Sequence, residues 1–148
     1  MAAYETKRVI NGTWGSVWVD SEKVNECYGL QATVEVKREA VKVCGDLWEH
    51  NKMVGRKGKG TIKMNRITSR FVEKVMAEMD NGRDVVCEIQ SMLDDPDALG
   101  RETIVLKNVT FDELSIQNWE AEQPGTYEVP FSFAGIEYTD KIDAKVLL

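Results

Sequence analysis

The residues of this chain that could carry chemistry are few and scattered. His50 is the only histidine, and no Cys or Ser stands where the sequence would make it that imidazole's nucleophile. Cys27, Cys44 and Cys87 are odd in number and form no CxxC pair. Neither a disulfide framework nor a zinc site is indicated, and three reduced thiols are expected. Gly55-Arg56-Lys57-Gly58-Lys59-Gly60-Thr61 has two glycines five apart, as a phosphate-binding loop does. The lysine that should follow the second glycine is missing, and the segment precedes a strand pattern where a phosphate cradle needs a helix N-terminus. Asp94-Asp95-Pro96-Asp97-Ala98-Leu99-Gly100 begins like a calcium loop. It places Leu99 where an oxygen ligand is needed and Leu106 where the bidentate Glu belongs, so it reads as an acidic turn. The sequons at Asn11 and Asn108 are moot without a secretory signal. No catalytic, cofactor or metal site is indicated, and an enzyme is not expected.

The elements must therefore be read for another kind of function. The 148 residues, 43% hydrophobic and 30% charged, match one packed domain over 1–148 and exclude a disordered or collagen-like chain. No apolar run approaches the roughly 18 residues of a membrane span, and residues 1–15 lack the order of a signal peptide, so no stable membrane association is expected. The net charge of −6 is unevenly spread: residues 1–83 carry 15 Lys+Arg against 11 Asp+Glu, and residues 84–148 carry 4 against 14. Lys52, Arg56, Lys57, Lys59, Lys63 and Arg66 follow one another with no acidic residue between them. Opposite signs on two parts of one chain suit self-association, the basic segment of one copy meeting the acidic 84–143 region of another.

Most segments alternate with the period of two that marks half-buried strands. Val17 and Val19 share a face, as do Ala32, Val34 and Val36, then Ile62 and Met64. Val85, Cys87, Ile89 and Leu93 continue the series, followed by Thr103 to Val109 and by Tyr127, Val129, Phe131 and Phe133. Pro130 cannot donate to a ladder, which marks its strand as an edge or places it at a non-bonded position. One segment differs: Phe71, Val72, Val75, Met76 and Met79 recur at helical spacing between Thr68 or Ser69 as N-cap and Gly82 as stop. The fold class is mainly β, a β-barrel or sandwich with one flanking α-helix.

Residues 45–60 show no sustained period and read as a long loop between two strands, far beyond an ordinary hairpin connection. Leu47, Trp48, Met53 and Val54 would cost about 25 cal/mol per Å² if left in water, so the segment must fold back or be buried in a partner.

Several stretches in order resemble the PBSX-type tail tube proteins of contractile phage tails and phage-tail-like bacteriocins. They are Gly58-Lys59-Gly60-Thr61, Ile67-Thr68-Ser69-Arg70-Phe71-Val72, Ser91-Met92-Leu93-Asp94-Asp95, Val109-Thr110-Phe111-Asp112 and Tyr127-Glu128-Val129-Pro130-Phe131-Ser132-Phe133. The resemblance covers residues 10–140. It implies a structural protein whose hexameric rings stack into a hollow tube, a conduit for DNA or a membrane-piercing needle. It further implies a sheath protein outside, a tape-measure protein within during assembly, baseplate proteins at one end, DNA only as passing cargo, and assembly in a bacterial host cytoplasm.

By the same resemblance, residues 45–60 form an extended inter-subunit loop, with Leu47, Trp48, His50, Lys52, Met53, Val54, Arg56, Lys57 and Lys59 at the subunit and ring interface. Residues 1–13 form an N-terminal arm that helps stacking. An acidic lumen suits a passing polyanion, and Glu35, Glu39 and Glu88, on polar strand faces, are its candidates. A monomeric small-ligand-binding β-barrel is the alternative; it accounts for the fold and the helix but not for the loop or the charge split.

Overall fold

The computed structural model describes residues 4–143. The strands are β1 (Gly15–Val19), β2 (Glu22–Lys23), β3 (Cys27–Val41) and β4 (His50–Asn65), then β5 (Val86–Leu93), β6 (Glu102–Phe111), β7 (Thr126–Phe133) and β8 (Ile136–Asp140). Between β4 and β5 lies α1 (Arg70–Asp80), the single α-helix among the described residues. The strands form one antiparallel sheet in the order β2-β1-β5-β6-β7-β4-β3, with β8 pairing the N-terminal half of β6. The mainly β class with one flanking helix is as the alternation implies. Closure is not: the order ends at β2 and β3, so the sheet stays open rather than forming a barrel or a sandwich within one chain.

One face of the sheet carries the core. Ile62 and Met64 of β4, Cys87 and Ile89 of β5, Leu106 and Val109 of β6, and all four alternate apolar residues of β7 are buried there. Each large side chain removed from water contributes about 1.5–3 kcal/mol, which is why alternation sets the register so firmly here. Phe71 and Val72 of α1 pack on this face and Val75 is buried. Phe71 meets Phe111 edge to face at 5.2 Å between centroids.

The helix ends follow their sequence signals. Ser69 is the N-cap residue, and Gly82 takes a left-handed φ of 74° while its N–H donates to the Met79 carbonyl at 2.9 Å. Pro130 is not on an edge strand, since β7 lies between β6 and β4. Its carbonyl accepts from Asp112 at 3.0 Å, and the return donor that a ladder would ask for is the one proline lacks, so β6–β7 pairing stops at Phe111↔Phe131.

The acidic turn after β5 ties down the N-terminal segment. Asp95 is buried, and its two oxygens accept the N–H groups of Asn11 at 2.8 Å and Asp97 at 2.9 Å. Arg8 donates to the Asp97 carbonyl at 3.2 Å. Residues 1–3 of the expected arm lie outside the described residues.

Candidate assembly surface

Of the expected loop 45–60, only residues 45–49 are loop. β3 and β4 form one long hairpin whose ladder runs from Cys27↔Met64 to Val41↔His50, so only residues 42–49 turn and His50–Asn65 is strand. β7 follows β4 only as far as Gly58↔Phe133. Beyond that point Glu35–Val41 and the facing part of β4 pair only with each other, an arm of about 23 Å at roughly 3.3 Å per residue. Residues 33–54 are exposed throughout. With neither face buried, nothing imposes a period of two, which is why the strand is silent in the hydrophobic pattern.

Every residue expected at the interface except Leu47 and Trp48 lies on β4, Lys59 at the point where β7 still pairs with it and the others beyond or at the turn end. In the ladder Lys57 faces Glu35, Arg56 faces Val36, Met53 faces Arg38, Lys52 faces Glu39 and His50 faces Val41. The register slips between Lys37 and Arg38, leaving Val54 as the extra residue of a bulge. Lys59 lies 3.5 Å from Glu35. At the tip, Asp46 accepts the Trp48 N–H at 2.9 Å, and its second oxygen lies 2.5 Å from His50 Nε2. Those two contacts, His50 first, hold the Asp46 carboxyl below its ordinary 3.8. The turn thrusts Leu47, fully exposed, and Trp48, 82% exposed, into solvent.

Glu88 lies on the sheet side turned away from the core, since its neighbours Cys87 and Ile89 are buried, whereas Glu35 and Glu39 lie on the arm, where neither face is buried. Glu35 and Glu39 face lysines across the ladder. Glu88 is exposed on β5, outside the arm, and its field helps to raise the Lys107 ammonium pKa, behind the larger effect of the 2.9 Å contact with Glu137.

A second feature was not foreseen. Between α1 and the β2-β1-β5 end of the sheet lies an open cleft of about 380 Å³ with an apolar floor that includes Val24, Phe71 and Val75. Arg70 clamps its rim, donating to Glu26 at 2.8 Å and Glu22 at 3.1 Å, while Lys74 reaches Glu22 at 3.3 Å. The hydrogen bond to Glu26, then its charge, pushes the Arg70 pKa up further. The only sequence signal for the clamp is the four-residue spacing of Arg70 from Lys74 and of Glu22 from Glu26, which puts the helix pair on one face but does not say that it meets the acids.

Burial raises the Cys27 thiol pKa and pushes Cys87 up to about 12. Among the described residues no group of three or more His, Cys, Asp or Glu is placed to hold a metal ion, and no helix is long and apolar enough to cross a membrane.

Residues 2–140 match the family described as phage tail tube protein. The chain is 28% identical over 142 residues to the phage-like element PBSX protein XkdM of Bacillus subtilis (strain 168), covering 95% of this chain and 97% of that relative. Its fold is similar to a chain of the PVC sheath-tube complex, an extracellular contractile injection system in its extended state. The TM-score is 0.72 at 10% identity, over 90% of this chain and 93% of that one. A solved protein of Bacillus subtilis is 28% identical, with a TM-score of 0.53 over 92% of this chain and 99% of that one.

Proposed function

The chain belongs to the phage tail tube protein family, and from that premise we propose that its copies close into hexameric rings that stack into the hollow inner tube of a contractile tail. The observation that carries this reading is the arm. A two-stranded ladder with both faces in water, ending in an exposed Leu47 and Trp48, is marginal on its own and gains by burial against another chain. The open sheet gives further support: the outer edge of β3 has no strand partner among the described residues, and a neighbouring copy can supply one.

In this arrangement Leu47, Trp48, His50, Lys52, Met53, Val54, Arg56, Lys57 and Lys59 lie at subunit and ring contacts, and the N-terminal segment assists stacking. The polar sheet face with Glu35, Glu39 and Glu88 lines the bore. Lysines such as Lys59 that are already engaged by carboxylates are poor holders of passing phosphate. A sheath protein surrounds the tube, a tape-measure protein occupies it during assembly in the host cytoplasm, and baseplate proteins join one end. The ligand-binding barrel loses its premise, because the sheet does not close.

Negative-stain microscopy and sedimentation velocity of concentrated or nucleated protein test the proposal. Rings or tubes are expected. A species of one chain mass at every concentration, unchanged by any nucleating tail component, would overturn it.

A further inference from the structure

The two faces of the arm differ in chemistry. Residues opposed in an antiparallel ladder point to the same side and successive ones alternate, so Glu35, Lys37, Glu39, Lys52, Lys57 and Lys59 share one face. There Lys59 lies 3.5 Å from Glu35, and Lys57 and Lys52 face Glu35 and Glu39. The other face continues the side on which Ile62 and Met64 are buried. It carries Val34, Val36, Ala40 and Met53 with Arg38 and Arg56, and no acidic residue. Arg38 donates to the Asn51 side chain at 3.2 Å, and among the described residues neither arginine has a carboxylate within ion-pair distance.

The β6–β7 connection, residues 112–125, has the reverse composition: Asp112, Glu113, Glu120 and Glu122, with no Lys or Arg. Its two ends are fixed. Leu114 packs against the core, and Arg66 donates from its side chain to the Ser115 carbonyl at 3.0 Å and from its backbone to the Gly125 carbonyl at 2.8 Å. Between these anchors Ile116 is 58% and Trp119 80% exposed. Asp112 accepts from Ser132 at 2.8 Å, whereas Glu113, Glu120 and Glu122 are exposed and meet no cation among the described residues.

We propose that the arm face bearing Arg38 and Arg56 lies on this connection of a second copy, with Trp119 against the apolar strip and the guanidinium groups turned to its ring and to the carboxylates. The proposal rests on the tube reading above and names both halves of one contact between copies. A guanidinium over an indole gains a cation–π attraction and still has donors left for carboxylates. The connection cannot meet the arm of its own chain, because Arg66 at its foot is ten residues from Arg56, about 33 Å along the strand direction. A contact between opposite ends of the molecule is heterologous and passes from copy to copy.

Other exposed surfaces match this face less well. At the cleft beside α1 the acids are interleaved with Arg70 and Lys74, which engage Glu22 and Glu26, and the apolar floor lies below them. A second cavity, about 740 Å³, has Lys23 as the only charged residue in its lining. The arm tip sets Leu47 and Trp48 beside Asp46 and Glu49, but Asp46 is already engaged by His50.

Val36 and Lys37 are adjacent and point to opposite faces, so they discriminate. In a Cys44→Ser background, which removes the exposed native thiol, Val36→Cys or Lys37→Cys is combined with Asn118→Cys. Assembled tubes are treated with a short bismaleimide and run on denaturing gels. Covalent multimers are expected from the Val36→Cys pair, while the Lys37→Cys pair and the variants with one added thiol remain single chains. Ala40→Cys against Glu39→Cys repeats the comparison, so that one variant that fails to assemble does not leave the question open. Trp119→Ala should raise the critical concentration for tube growth about tenfold and leave the monomer unchanged, since its indole stands in water there. Tubes that form normally but give no multimers from either apolar-face position, or equal multimers from both faces, would overturn the contact and leave the tube reading standing. An unchanged critical concentration for Trp119→Ala would do the same. If no variant and no wild-type sample assembles under any condition, the tube reading falls and the contact falls with it.

Discussion

Gly60 bears no side chain because the ring of Phe131 occupies the space one would fill. A Cβ built at Gly60 lies 2.5 Å from Phe131 Cζ and also collides with the Gln31 carbonyl, and one at Gly58 lies 2.5 Å from the ring of Phe133. The ladder explains the pairing, since Gly58 faces Phe133 and Gly60 faces Phe131 across β4 and β7. The Gly58-Lys59-Gly60 stretch is therefore a packing device: two absent side chains let two aromatic rings lie over the backbone. Gly60→Ala should destabilise the monomer by about 1–3 kcal/mol, because Phe131 is fully buried and the opposing carbonyl is backbone. Urea unfolding checks this, and an unchanged midpoint would show that the sheet opens to make room.

The thiols should react in a fixed order. Cys44 is exposed at the arm, Cys27 is half-buried and donates to the Gly29 carbonyl at 3.3 Å, and Cys87 is buried with its pKa at about 12. At pH 8 a group titrating there is thiolate in only about one molecule in ten thousand. Alkylation followed by mass spectrometry should find Cys44 modified first and Cys87 only on unfolding. Early labelling of Cys87 would mean that the cleft region opens in solution.

The tip should be ordered across the neutral range and released only in acid. Asp46 is held below 3.8 by His50 and by the Trp48 N–H. A carboxyl depressed in the folded state contributes order above its unfolded pKa and loses it as the pH falls through the folded one. The Trp48 amide resonance should follow this titration with a midpoint under 3.8. A midpoint at or above that value would show that the turn is not closed in solution.

Legibility followed burial. Wherever one strand face meets the core, as at Ile62 and Met64 or at Tyr127, Val129, Phe131 and Phe133, the period of two marked the strand and its inward side. The helix was legible for the same reason, its apolar stripe resting on that core. The outer half of the hairpin was not, because a ladder exposed on both sides is held by backbone bonds and cross-strand pairs that leave no hydrophobic period. β8 is five residues of which four are exposed, so it too lacks a signal. The arm residues proposed for the interface stand out by their apolar and basic character, and only the family resemblance gives them that role. The cleft could not be read from the sequence, since its clamp joins Arg70 to Glu26 across 44 positions and only the fold brings them together.

Arg56 gives the cleanest test of charge between copies. Reversing Lys52, Lys57 or Lys59 would set a carboxylate beside Glu39 or Glu35 of the same chain, whereas Arg56 faces Val36. Arg56→Glu should therefore leave the monomer unchanged while raising the critical concentration severalfold, the scale of exposed pairs worth at most about 1 kcal/mol. Added salt should restore part of the loss, because it screens exposed charges beyond about 8–10 Å. Light scattering against ionic strength reads both effects, and assembly equal to wild type at low salt would remove Arg56 from the contact.

Excising the arm separates folding from assembly most directly. Glu35 and Lys57 face each other in the ladder, so replacing residues 36–56 by Asn-Gly closes a two-residue hairpin in register. The removed segment contributes nothing to the core cluster, and every buried residue of β4 is retained. Monomer stability should change by less than about 1 kcal/mol, since a shorter connection also lowers the entropy lost on closing the hairpin. Stacking should be abolished, because the excised variant has neither Leu47 nor Trp48 to bury. Circular dichroism with an intact β signal and micrographs without tubes is the expected pair of results. Tubes of normal appearance would show that the arm is not what joins the rings, and global unfolding would show that it stabilises its own domain.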